Sequence, residues 1–216
     1  MKLGLINASP RGKKSNSAEV LNWLTRAINE ELETTLVYAV KAENQPQAIE
    51  SIKSCDYYVV IFPLYADSMP GIAKKFFENM MNEKESFTGK PVLFIIHSGF
   101  PEAIQSRMAE RYARHFAKLM DMQTMGCLIM GNSEGIRMHP KQAASKRAEA
   151  ITQIGKVILE KRPLTEAECI LPGQFEKMPK PMLNMFKNLA FLMDIGWHRM
   201  MRQNGAYQNR LDRPYQ

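Results

Sequence analysis

The chain has 216 residues, 45% of them hydrophobic, and a formal net charge of +7. That content suffices for one core of ordinary size plus an extension and excludes wholesale disorder. No run of about 18 uncharged apolar residues occurs, which excludes a membrane-spanning helix.

The elements alternate. Lys2-Leu3-Gly4-Leu5-Ile6 is short and apolar and predicts a buried strand. Ala18 to Leu24 carries apolar residues at helical spacing. Between them lies Asn7-Ala8-Ser9-Pro10-Arg11-Gly12-Lys13-Lys14-Ser15-Asn16-Ser17, rich in hydroxyls, amide and positive charge. A loop that leads a strand into a helix sets open N–H groups and roughly half a positive charge at the helix start. Such an end holds anions, so this loop is read as a phosphate site. A plain capped helix start is the other reading. A Walker loop is excluded, because Asn7 and Lys14 stand where it needs Gly and Ser/Thr. The Rossmann glycine fingerprint is also absent.

Thr34–Val40 predicts a second strand, Gln47–Lys53 a short helix, and Tyr57–Phe62 a third strand. A helix over Ile72–Met81 follows Pro70, then a strand over Pro91–Ile96 and a long helix over Glu102–Met120. Thr124–Met130 predicts a last strand and Lys141–Lys161 a last core helix, with Pro163 and Pro172-Gly173 marking the end of the core. Strands alternating with helices give a parallel sheet covered on both faces. Ligands of such sheets bind beyond the carboxyl ends of the strands. That rule joins the first loop to Pro63-Leu64-Tyr65-Ala66-Asp67-Ser68-Met69-Pro70 and to His97-Ser98-Gly99-Phe100-Pro101-Glu102. The expected pocket has a phosphate end and a flat end lined by Tyr65 and Phe100.

His97 reads as a neutral core histidine and His115 as structural, while Arg137 and His139 follow a loop that reads as ordinary surface, with reach to the nicotinamide or substrate as the other reading. Cys55 and Cys127 abut buried strands and read as small hydrophobes. The three cysteines form no C-x-x-C pair, which argues against a metal or iron–sulfur site, and no metal ligands are expected. With no signal-peptide pattern at the start, the expected compartment is the reducing cytoplasm.

The positive charge concentrates late: residues 161–216 hold nine Lys/Arg against five Asp/Glu. No recognition motif accompanies it, so nucleic acid is not expected. Met182 to Met201 forms an apolar stripe at helical spacing, interrupted by Lys187, Asp194, Arg199 and Arg202. Three readings stay open for it: packing on its own core, a dimer arm, or a basic amphipathic helix on an anionic membrane, which is not favoured. Tyr207–Gln216 shows no pattern. The expected division is an α/β domain over 1–162 and a helical extension over 163–216.

Ser9-Pro10-Arg11-Gly12 with Asn16-Ser17, Pro63-Leu64-Tyr65 with Met69-Pro70-Gly71, Lys74 and Phe76-Phe77-Glu78, and Ser98-Gly99-Phe100 together resemble the loops of the flavodoxin-like NAD(P)H-dependent FMN reductases and quinone reductases. The likeness covers roughly residues 1–160. Ala8, Ser15 and Glu78-Asn79 stand where that family usually has Gly, Gly and Asp-Arg. The resemblance implies a flavodoxin-like doubly wound parallel sheet of order 2-1-3-4-5 and noncovalent FMN. Ser9, Arg11, Ser15, Asn16 and Ser17 would hold its phosphate. Pro63, Leu64, Tyr65, Ala66, Asp67, Ser68 and Met69, with Ser98, Gly99 and Phe100, would face its ring. It further implies hydride transfer from NAD(P)H through the flavin to a quinone, nitro or azo compound or free flavin, with no protein catalytic residue, in a homodimer. A flavodoxin-type electron carrier and a non-enzymatic domain that binds a membrane or partner through its tail are the alternatives.

Overall fold

In the computed structural model five strands form one parallel sheet of order β2-β1-β3-β4-β5, as expected from the resemblance. The structure describes residues 1–28, 31–136, 140–188 and 190–212. The strands are β1 (Lys2–Asn7), β2 (Glu33–Tyr38), β3 (Tyr57–Pro63), β4 (Pro91–His97) and β5 (Gln123–Met130). Every residue of β3 is buried, because a parallel strand inside the sheet is covered on both faces. Its side chains alternate between two cores. Tyr57, Val59 and Ile61 join Leu3 and Leu5 against α1 (Asn16–Ile28) and α5 (Pro140–Leu159), with Trp23, Leu24, Ile151, Ile154 and Ile158. Tyr58, Val60 and Phe62 join Ile6 on the other face. There they meet α2 (Gln45–Ile52), α3 (Gly71–Met81) and α4 (Arg107–Leu119). The Phe77 ring links this second core, stacked on Phe116 at 4.1 Å and edge-on to Phe62 and Phe94. Burying so many large side chains on both faces fixes the strand register. It thereby sets the carboxyl ends of all five strands on one rim.

Most element ends shift slightly from the expected ones, and two differences bear on the rim of the sheet. The helix expected from Glu102 begins only at Arg107, after a 3-10 turn over Ala103–Ser106. The reason is backbone pairing: Ala103 N–H and Ile104 N–H donate to the carbonyls of Phe175 and Glu176. The first compact unit also runs to Glu176, beyond the boundary expected at residue 162. Leu164 N–H donates to Met125 O at 2.7 Å, Ile170 bridges Ile129 in parallel, and Gly131 N–H donates to Gln174 Oε1 at 2.9 Å. A capping box of Thr165 and Glu168, clamped by Arg162, starts this strap.

The second unit, Lys177–Gln216, contains α6 (Lys180–Asn188) and α7 (Ala190–Gln203). The apolar stripe therefore runs over two helices, and its Leu189 lies outside the described residues, as do Arg213 to Gln216 of the patternless end. The Tyr207 ring lies between the guanidinium groups of Arg202 and Arg210, 4.4 and 4.1 Å from its centroid, and folds the end of this unit onto α7. No helix among the described residues is long and apolar enough to cross a membrane.

Candidate functional site

The cleft lies on the carboxyl rim between the ends of β1, β3, β4 and β5. Of the expected residues, Ser9, Arg11, Ser15, Asn16, Pro63, Leu64, Tyr65, Ser98 and Gly99 line it together. His97, Ser133 and Glu134 also line it, although none of the three stands among the expected binding residues. Ser17, Ala66, Asp67, Ser68, Met69 and Phe100 do not.

The first loop is held from inside. Asn7 Oδ1 accepts from Ser9 N–H at 3.0 Å, and Asn7 Nδ2 donates to Gly12 O and Ser15 Oγ at 3.3 and 3.2 Å. Gly12 sits at φ +51, a left-handed turn that suits glycine. Ser15 is the N-cap of α1: its Oγ accepts from Ala18 N–H at 3.0 Å. The side chains of Asn16 and Ser17 turn to protein partners. Asn16 Nδ2 donates to Ser133 O at 2.8 Å, and Ser17 Oγ bonds His97 Nε2 at 2.7 Å. What Asn16 offers a ligand is its backbone N–H, in the helix turn that leaves such groups without an internal acceptor. Arg11 is exposed beside them and has no ion pair among the described residues.

His97 ends β4 as a hub. Its Nδ1 bonds Ser133 Oγ at 3.0 Å while its Nε2 bonds Ser17 Oγ. It thus ties the start of α1 to the loop after β5. Burial lowers its pKa to about 4, so it is neutral at pH 7 and serves as a brace. Arg147 of α5 donates to Asn132 O at 2.9 Å from the far side of the same loop, and burial lowers its pKa. Arg137 and His139 lie outside the described residues.

The loop after β3 is a tight hairpin. Tyr65 and Ser68 exchange backbone hydrogen bonds of 2.8 and 3.0 Å, and Ala66 and Asp67 between them sit at φ +46 and +61. Two consecutive left-handed residues define a turn normally built from Asn-Gly. Alanine there is strained, and strain of this kind concentrates at functional sites. Sequence patterning gave no sign of it. Tyr65 and Phe100 both present exposed rings on the rim, while Met69 is buried in the core.

The loops after β4 and β5 are zipped together. Ser133 N–H donates to Ser98 O at 2.8 Å and Asn132 N–H to Phe100 O at 3.0 Å. Gly131 permits this approach, since a Cβ on it would lie 2.5 Å from Phe100 O. A strand-end loop on the same rim was the one sequence signal that placed residues 131–135 near the site. Among the described residues no group of His, Cys, Asp and Glu is arranged to hold a metal ion.

Residues 1–158 match the protein family described as flavodoxin-like fold. No curated protein matches the chain in sequence. Three solved structures are similar. An NADPH-quinone reductase from P. pentosaceus is 19% identical, with 72% of this chain and 98% of that one covered at a TM-score of 0.55. An NADH:FMN oxidoreductase in its apo form is 16% identical, with 84% and 98% covered at a TM-score of 0.57. An FMN-dependent NADH-azoreductase from Bacillus anthracis, in complex with FMN, is 13% identical, with 73% and 99% covered at a TM-score of 0.56. At these identities the likeness is one of fold.

Proposed function

Because the chain belongs to the flavodoxin-like-fold family, we propose that it is an FMN-dependent oxidoreductase that passes a hydride from NAD(P)H to a small acceptor: a quinone, a nitro or azo compound, or free flavin. The observation that carries this reading is the division of the cleft. One end has the start of α1, the Ser9 hydroxyl and the exposed Arg11; the other has the exposed Tyr65 ring and the loops that carry Leu64 and Ser98-Gly99. The first suits a phosphate dianion and the second a flat ring. The reductases of like fold add support.

On this reading the N–H of Asn16, with Arg11 and Ser9, holds the phosphate. Asn16 acts through its backbone, because its side chain braces the loop after β5, while the Ser17 hydroxyl holds His97. The strained turn at Ala66-Asp67 holds Tyr65, which lines the cleft, through its backbone exchange with Ser68. Bound FMN supplies the redox chemistry, a two-electron hydride exchange between NAD(P)H and the acceptor. The protein orients and desolvates; neutral His97 holds the walls of the cleft and moves no proton.

A homodimer and a cytoplasmic location complete the proposal. The second unit exposes Leu183, Met185, Ile195 and Trp197, an apolar surface that a second copy would cover. The three free cysteines suit a reducing compartment. The test is titration of purified protein with FMN, followed by anaerobic addition of NADH or NADPH. Quenched flavin fluorescence and loss of the yellow absorbance are expected; a protein that takes up no FMN refutes the reading.

A further inference from the structure

The cleft contains an acid that the phosphate and ring contacts do not use. Glu134 is the only carboxylate among the described residues that line it. The backbone on both sides of Glu134 is fixed. Ser133 is bonded to Ser98 O and to His97, and Ile136 is fully buried. The side chain, by contrast, is exposed and has no ion pair among the described residues. It lies across Gly99: a Cβ built there would meet Glu134 Cγ at 2.9 Å and Oε1 at 3.3 Å. Gly99 therefore lacks a side chain where the carboxylate comes down on the cleft floor. This is the Ser98–Phe100 backbone that the proposed function assigns to the ring.

Resting on that reading, we propose that Glu134 tunes the cofactor: its negative charge weakens FMN binding and lowers the reduction potential of the bound flavin. The physical basis is like-charge repulsion in a partly desolvated cleft. Oxidised FMN carries its charge on the phosphate, which Arg11 and the α1 start neutralise. Two-electron reduction adds a negative charge to the ring itself, next to the carboxylate. The reduced form is therefore penalised more than the oxidised form, and a reduced flavin so penalised gives up its hydride more readily.

The experiment compares wild type with Glu134→Gln, which keeps the shape, and Glu134→Lys, which reverses the charge. The side chain is exposed, so both variants should melt as wild type does. FMN affinity is read by fluorescence quenching and the potential by equilibration with a redox dye, neither of which needs turnover. Glu134→Gln should bind oxidised FMN about tenfold more tightly, about 1.4 kcal/mol. The reduced form should gain a further tenfold, which raises the two-electron potential by about 30 mV. Glu134→Lys should move both readings further in the same direction. Binding by Glu134→Gln where wild type binds none would also support the inference. Unchanged affinity and potential in both variants, with wild type binding FMN, would overturn this inference and leave the proposed function standing. A lysine variant that returns to wild-type values would overturn it too, because shape would then be the cause. No FMN binding by any of the three proteins would overturn both.

Discussion

Acidification should destabilise this protein through His97, and the size of the effect follows from its surroundings. In an unfolded chain the imidazole takes up a proton near pH 6.5. In the folded protein it does so only near pH 4, because burial penalises the charged ring. Between those values the unfolded state binds more protons, so this contribution to stability is complete above pH 6.5 and is lost as the pH falls toward 4. Each pH unit in that window is worth about 1.4 kcal/mol, so acidifying from pH 6.5 to 5 should cost about 2 kcal/mol. His97→Gln removes the titrating group. At neutral pH it should itself be less stable by about 1–3 kcal/mol, because Gln cannot satisfy both Ser17 and Ser133 as the ring does. The assay is urea unfolding of both proteins at pH 7 and pH 5. Carboxylates such as Glu168, held down at about 2 by Arg162, contribute equally to both proteins and cancel. The wild type should lose about 2 kcal/mol more than the variant between the two pH values. Equal losses would show that the ring is already protonated or solvated in the fold, and the bracing role would fail.

Arg11→Ala should weaken FMN binding by about ten- to a hundredfold, measured by fluorescence titration, while leaving the melting temperature in place, since the side chain is exposed. Ala66→Gly should stabilise the protein by about 1 kcal/mol in urea unfolding, because Ala66 sits at φ +46, and should also loosen the hairpin enough to weaken FMN binding. Gly131→Ala should destabilise by about 3 kcal/mol or more and abolish FMN uptake, because its Cβ has backbone, the Phe100 carbonyl, in its way.

The sheet was legible because each inner strand is a continuous apolar run bounded by turn residues, and such runs have one stable setting between two layers of helices. The three strand-end loops followed from the same pattern, since a parallel sheet sends alternate connections to one rim. Side-chain partners were not legible. Ser17 and Asn16 look like ligand donors in the sequence, but which way a first-turn side chain points depends on His97 and Ser133, 80 and 117 residues away. The strain at Ala66-Asp67 was equally hidden, because neither residue marks a left-handed turn. The strap over 163–176 carries prolines and a glycine that read as an exit from the core. Its hydrogen bonds to Met125, Ile129 and Gly131 are long-range, and no local pattern encodes them.

That strap has a bearing on how the protein keeps to itself. β5 is the last strand of the sheet, and a bare outer strand is a template on which another chain can add. The bridge from Ile170 to Ile129 and the amide of Leu164 on Met125 occupy part of that template. A fragment ended at residue 162 would retain every strand and yet leave its flank sticky, inviting sheet-to-sheet aggregation. One ended at residue 176 would carry its own guard.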